Sequence, residues 1–515
     1  MATQWQTFPI EFKGGLISNL SALQHGTNAV GSATLLQNFE VNKEGGYSKI
    51  LGYSKYSSTE VPGSGPILAL KVISSARIVA ARKNASNLTE YYYSTGSSWT
   101  SMASSVGANG GKARSVLYNF DGDDKVIFVD GTNYPAIYNT SGNSVTFLSA
   151  SNSTAISAAQ HVAIFKNTAF YAKDNVITFT APFTVDDFSA ANGAGSINVA
   201  NDVTGLVVFR DQLIIFTEDS IKRLTGSTSA DFTVSPITDR MGCINGDTIQ
   251  EVGGDIMYLA PDGIRLLSAT ERIGDFGLGV TSDKIFKDVS TFINQTSNFT
   301  SVVLREKAQY RIFAYTESEA KDTAKGLIAT KFISQGADGL NWSTTTGIKA
   351  SIADSRYTST LETVAFANED GYVYIMESGS TFDGSTIKAI YESPFMPITD
   401  PQVRKTFYKL TLYVEPSASM NLTLNIKYDF DSSTDTKVVQ PSTQQITGTG
   451  SSVFFFGASN SIFNTATFGG ELDKIYNTNI IGSGKTISLR IEDATTNPTF
   501  TLDTALLEFS QEDRQ

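Results

Sequence analysis

The stretch at residues 207–226, VVFRDQLIIFTEDSIKRLTG, decides how the chain is read. Apolar residues fill two short runs, and Arg210, Asp211, Glu218 and Asp219 crowd into the breaks between them. Four charged groups so close together suit either a catalytic cluster or the solvent-facing turns of a small β-unit. The unit recurs. Val162-Ala-Ile-Phe-Lys-Asn repeats the pattern of Val207-Val-Phe-Arg-Asp, and each is followed by Asp-Phe, at Asp187-Phe188 and Asp231-Phe232. Phe165 and Phe209 stand 44 residues apart, a period that suits four-stranded propeller blades. A repeated feature answers a repeated architectural need, so the four charges read as turn and rim residues of a blade.

Outward from there the same rhythm holds. GPILALKVISSARIVAARK, DDKVIFVDGTNYPAIYN, HVAIFKNTAFYAKDNVITF, GGDIMYLAPDGIRLLSA, AQYRIFAYTES and VAFANEDGYVYIMES are apolar strands joined by turn residues. Asp130-Gly131 and Asn133 mark one tight reversal. Radial repetition also explains how so many strands avoid exposed sheet edges. The chain is therefore expected to be all-β, with a β-propeller-like repeat domain of six or seven blades and a C-terminal β-sandwich. Residues 1–60 read as a segment closing or bracing the propeller, 61–385 as the propeller, and 386–515 as the sandwich, whose strands alternate in TFYKLTLYVEP, MNLTLNIKYDFD, SVFFFGA, KTISLRIED and DTALLEFS. Helices are expected at 32–42, capped by Ser32, and at 283–295, where Ile285, Phe286, Val289 and Ile293 share one face.

The totals set limits. The chain has 515 residues, 41% hydrophobic and 17% charged, enough to bury a core and less charged than the roughly 25% usual for soluble domains. A net charge of −12 argues against a general binder of nucleic acid or anionic membranes. It does not argue against a channel along which DNA slides. Cys243 is the only cysteine, which leaves no intramolecular disulfide or cysteine metal cage and suits a reducing compartment. The N-terminus has no basic start or apolar core of a signal peptide, and no run approaches the roughly 20 residues needed to span a bilayer.

Candidate chemistry falls away on inspection. His25 and His161 have no nucleophile or metal-ligand spacing beside them and read as structural. IGSGKTI at 481–487 lacks the first glycine of a phosphate loop and runs into a strand, so it reads as a hairpin turn. DGDDKVIF at 121–128 lacks the later acid of an EF-hand and reads as an acidic turn. Two Gly-x-x-Trp endings, at Gly96–Trp99 and Gly339–Trp342, fail the sialidase Asp-box because Ser94 and Ala337 occupy the Asp position. No catalytic residue, metal site or cofactor motif emerges, and the chain reads as a non-enzyme. The strongest basic-aromatic patch is PQVRKTFYK, with Arg404, Lys405, Phe407, Tyr408 and Lys409 as candidate interface residues.

One resemblance runs through these features. Gly14-Gly15-Leu16, Leu36-Gln37-Asn38-Phe39 and Gly45-Gly46-Tyr47 leading to Gly52-Tyr53 resemble the N-terminal signature of the tail nozzle family of short-tailed bacteriophages, also called tail tubular protein B. The 207–226 unit, MGCINGDTIQEVGGDIMYLAPDGIRLLSA, ERIGDFG and the closing SLRIEDATTNPTFTLDTALLEF are similar to later parts of the same proteins. The resemblance implies a structural virion protein of the phage tail, assembled in the host cytoplasm. It implies a homo-hexamer whose channel conducts double-stranded DNA during ejection without sequence-specific binding, and contacts with tail adaptor proteins and tail fibres. Six copies at −12 would carry 6 × −12 = −72, and like charge along a lumen lets a phosphate backbone pass without sticking. The alternatives are a host-glycan-binding or glycan-cleaving propeller protein of the tail, and a stopper or tube-closing protein of a longer tail.

Overall fold

The computed structural model describes residues 5–511 except 44, 103–107, 269, 271–279, 332–338, 359–360, 418–419, 431–443 and 449–473. The strand expected in SVFFFGA and the stretch ERIGDFG therefore lie outside the described residues.

The chain folds as a β-propeller with a C-terminal β-sandwich. Among the described residues the strands form seven blades around one axis. Blades 1 to 4 begin on inner strands Ser64–Ser74, Arg114–Tyr118, His161–Phe165 and Val203–Phe209, each leading into a four-stranded antiparallel sheet. Blade 5 holds Gln250–Val252, Asp255–Ala260 and Gly263–Leu266. Blade 6 starts at Phe299–Leu304 and blade 7 at Ile352–Thr358.

The 207–226 stretch now has a physical explanation. Val203–Phe209 and Gln212–Thr217 form a hairpin whose two-residue turn is Arg210-Asp211, with φ of +46° and +63°. Blade 3 makes the same turn at Lys166-Asn167, with φ of +48° and +56°. Two successive positive φ values give the primed turn whose twist matches that of its strands. The continuous apolar run Leu213-Ile-Ile-Phe216 is explained by burial on both faces. Leu213 and Ile215 pack toward blade 3, while Ile214 and Phe216 pack toward blade 5. Alternate side chains point to opposite faces of a strand, so each blade fills the wedges on both sides. Blade 1 does likewise, sending Val79, Ala81 and Tyr91 toward blade 2 and Ile78, Ala80 and Tyr92 toward blade 7. The turns also lace the rim: Lys166 Nζ lies 2.6 Å from Asp211 Oδ1, and Arg210 donates to the Gly254 carbonyl at 2.8 Å.

Blade 7 is completed from the other end of the sequence. Tyr53–Lys55 pairs antiparallel with Val373–Met376, so an N-terminal strand closes the ring. The preceding segment belongs to the sandwich. Gln6–Glu11 and Tyr47–Lys49 both pair with Phe500–Gln511, which also pairs with Lys405–Pro416. Leu35–Gln37 lies between Leu340–Thr346 of blade 6 and Ala389–Glu392 of the sandwich. It makes one continuous sheet of the two. The wedge between blades 5 and 6 is accordingly continuous with the sandwich core: Met257, Leu259, Tyr310 and Trp342 belong to the same buried cluster as Leu410, Leu489 and Leu507.

The helix expected at 32–42 does not form. Strands Leu35–Gln37 and Phe39–Val41 occupy it, and the helix lies earlier, at Ala22–Asn28. Sheet pairing overrides local propensity here: Asn38 sits at φ +54°, donates to the Lys388 carbonyl at 2.9 Å, and accepts from Thr345 and Thr346. The other helix forms, at Phe286–Ile293, but its expected face holds only in part: Ile285 and Val289 are buried, whereas Phe286 is exposed and Phe292 is buried in its place.

Candidate functional site

Charged side chains converge at the propeller axis. Asp247 sits on a single 3-10 turn, Gly246–Thr248, whose Asn245 cap accepts the Asp247 N–H at 2.9 Å. Gly246 lets this turn lie against blade 4, since a Cβ there would stand 1.8 Å from the Thr204 carbonyl oxygen. Arg114, at the start of its inner strand, grips both oxygens of Asp247, with Nε to Oδ1 at 2.7 Å and Nη2 to Oδ2 at 3.2 Å. Lys112 Nζ lies 3.1 Å from Oδ2 and donates to the Phe299 carbonyl of blade 6 at 3.0 Å. Across the axis Lys71 of blade 1 pairs with Asp354 of blade 7 at 2.8 Å, and Asp354 also accepts the Val72 N–H.

Burial works against the charge on Asp247, Lys112 and His161. It raises the Asp247 carboxyl, but Lys112 and Arg114 outweigh it and hold Asp247 below the usual carboxylate range. Burial lowers the Lys112 ammonium, and Arg114 lowers it further against the pull of Asp247. His161 is pushed down to about 3 by burial and by Arg114, and is neutral at pH 7. Three cations (Lys71, Lys112, Arg114) face two carboxylates, a sum of +1 with His161 neutral. The cluster surrounds a cavity of about 200 Å³ lined by the inner edges of all seven blades. Both carboxylates are held by cations, so neither is placed as a free general base. The cavity is also far too narrow for a DNA duplex, whose major groove alone is about 12 Å wide. Any DNA channel must lie outside the propeller axis.

The basic-aromatic patch divides on folding. Lys405 and Phe407 are buried, which corrects their reading as surface residues. Strand alternation turns Phe407 inward against Tyr428 and Phe509, while the Lys405 ammonium donates to the Pro397 and Lys485 carbonyls. Arg404, Tyr408 and Lys409 remain toward the outside. Arg404 donates to Ser483 at 3.0 Å, Lys409 lies 3.5 Å from Glu508, and Tyr408 stacks on exposed Trp5 with ring centres 4.8 Å apart.

The remaining candidates serve the fold. His25 pairs with Ser32 Oγ at 2.7 Å. Cys243 is buried, its thiol pushed up to about 12 by burial. The 481–487 stretch does not turn a hairpin as expected: Ile475–Gly484 pairs with Lys405–Pro416, while Ile487–Asp493 pairs with Ala389–Glu392 and Met420–Tyr428, so it links the two sheets of the sandwich. The indole of Trp99 donates to the Thr59 carbonyl at 3.1 Å, and that of buried Trp342 to Thr281 at 3.1 Å. Among the described residues no three His, Cys, Asp or Glu side chains form a metal-binding group, and no helix is long and apolar enough to cross a membrane.

Sequence reasoning missed Lys112, Arg114 and Asp247, although each flanks or begins an inner strand. Finding them needs the phase of every blade, because residue 114 meets residue 247 only when the ring closes.

No family profile and no curated protein matches the chain. Solved structures resemble it distantly. Raptor of Chaetomium thermophilum aligns at 11% identity and a TM-score of 0.39, over 66% of this chain and 29% of that one. An ancestral GH74 enzyme aligns at 10% identity and 0.41, over 66% and 53%. The WD40 domain of Neurospora crassa Pan2 aligns at 8% identity and 0.38, over 63% and 96%. The chain thus spans about a third of Raptor and half of the GH74 enzyme.

Proposed function

We propose that this chain is a structural virion protein, the nozzle of a short phage tail, acting without catalysis as one of six copies around a DNA-conducting channel. The observation that carries the reading is the position of the segment resembling the nozzle signature. It joins the two parts of the molecule. A Cβ on Gly15, at φ +68°, would stand 2.8 Å from the Trp342 carbonyl oxygen of blade 6, which accepts the Leu16 N–H at 2.7 Å. Tyr47 donates to the Gly31 carbonyl at 2.8 Å and accepts the Gly15 N–H at 3.1 Å. Gly52 passes so close to Thr381 that a Cβ would lie 1.9 Å from its carbonyl oxygen, and Tyr53 enters blade 7. Gly15, Leu16, Tyr47, Gly52 and Tyr53 of the motif thus bind the N-terminal segment to both parts of the molecule.

On this reading DNA would pass between copies, since the axis of the propeller holds only a cavity of about 200 Å³. The net charge of −12 per copy would keep such a lumen from holding the phosphate backbone. Arg404, Tyr408 and Lys409, with Trp5, form the outward patch we assign to neighbouring tail proteins. The test is sedimentation of the purified chain combined with the protein composition of purified virions. A ring-sized assembly found in virions is expected. A globular monomer absent from virions refutes the proposal, and depolymerisation of host polysaccharide by the isolated chain favours a glycan-cleaving tail protein instead.

A further inference from the structure

We propose that the mouth of the propeller axis binds one small tetrahedral oxyanion, such as phosphate or sulfate, among Lys71, Lys112 and Arg114. The site is independent of the nozzle reading. Its wall is built from residues of every blade, with Lys71 and Arg114 on inner strands and Lys112 two residues before Arg114, its ammonium tied to Asp247 and the Phe299 carbonyl. A cavity of about 200 Å³ has the room of several waters at roughly 30 Å³ each, enough for an ion of five heavy atoms.

The donors outnumber the acceptors. An ammonium has three N–H groups. Among the described residues, Lys71 gives one to Asp354, and Lys112 gives its own to Asp247 and the Phe299 carbonyl. The carboxylate oxygens are already engaged: Asp354 by Lys71 and Val72, Asp247 by Arg114 and Lys112. The surplus N–H groups and the surplus positive charge therefore face the cavity together. The depressed Lys112 ammonium agrees with this, since a bound anion would supply the compensation that Asp247 shares with Arg114. Charge-assisted hydrogen bonds from such groups are roughly twice as strong as neutral ones. A cavity of about 200 Å³ restricts the ligand to a free ion or a small phosphate ester.

The experiment is isothermal titration of the full chain with inorganic phosphate at pH 7 and constant ionic strength, repeated with glycerol 1-phosphate. One saturable site is expected. Lys71→Met should weaken phosphate at least tenfold, and Asp354→Asn, which removes a competing negative charge, should tighten it about tenfold. Opposite shifts are the decisive sign, because damage to the fold moves both variants the same way. Binding of phosphate alone assigns the site to the free ion, and equal binding of the ester assigns it to a phosphate-headed ligand. No saturable heat beyond that of matched chloride, or two variants shifting together, overturns the proposal. Should a variant fail to fold, crystals of the unaltered chain soaked in selenate decide: anomalous density between the three cations upholds the site, and its absence overturns it.

Discussion

Lys49→Met is the sharpest probe of how the N-terminal segment is tied into the sandwich. Lys49 ends strand Tyr47–Lys49, and its ammonium lies 2.6 Å from Asp493 Oδ2, with both side chains at 1% exposure or less. It also donates to the Thr495 and Asn497 carbonyls at 3.1 and 3.2 Å. The two partners are 444 residues apart, so the pair ties the N-terminal segment to strand Ile487–Asp493. Removing the lysine leaves a buried carboxylate without its counter-ion, which costs about 3–5 kcal/mol. Replacing both partners with apolar side chains of similar size removes the uncompensated charge, and such exchanges are often neutral. The double variant Lys49→Met/Asp493→Leu should therefore recover about 2 kcal/mol or more of the single-variant loss. Urea titration followed by tryptophan fluorescence reads this, because buried Trp342 sits where Leu16 docks. A single-variant loss below about 1 kcal/mol, or a double variant no better than the single, would refute the reasoning.

Four further outcomes follow from the same geometry. Gly15→Ala forces a Cβ into a left-handed position against Trp342 and should cost about 2 kcal/mol or more in the same titration. Arg311→Met removes a buried guanidinium lying 3.0 Å from Glu40 and 2.8 Å from Glu377, and should cost about 3–5 kcal/mol in urea. His161 has its folded pKa lowered to about 3 from an ordinary 6.5. The unfolded chain therefore binds the extra proton between these values, and stability should fall as pH drops from 6.5 toward 3, by at most about 5 kcal/mol (about 3.5 × 1.36). Urea midpoints across that range should slope less in His161→Gln than in the unaltered chain, and equal slopes would remove His161 as the cause. The Cys243 thiol, buried and pushed up to about 12, should ignore Ellman's reagent at pH 8 until the chain unfolds.

The architecture was legible where local sequence carries it. The turns at Lys166-Asn167 and Arg210-Asp211 repeat because each blade needs the same left-handed pair. The runs between them are apolar because blades are buried on both faces. That residues 1–60 close or brace the ring was legible, but the strand that does so was not. Tyr53–Lys55 is three residues long and pairs with a strand more than 300 residues away, so no local pattern announces it. The 32–42 segment misleads for a related reason: Leu36 and Phe39 fit a helical stripe, but both are buried, Leu36 in a strand paired with Tyr391 and Phe39 against the Phe500 ring, both from the far end of the chain. Among the site residues, the patch at 404–409 was read as one surface, whereas strand alternation sends Phe407 inward and its neighbour Tyr408 outward. The axial cluster joins residues 71, 112, 114, 161, 247 and 354, which only the closed ring brings together.

The nozzle reading faces its most direct test in a cryo-EM map of the intact tail of the particle that carries this chain. The account predicts six copies around a channel lying between the propellers, with the axis of each propeller closed by Lys112, Arg114 and Asp247. A tail in which the chain is absent, or in which DNA runs through the axis of a single propeller, would contradict it.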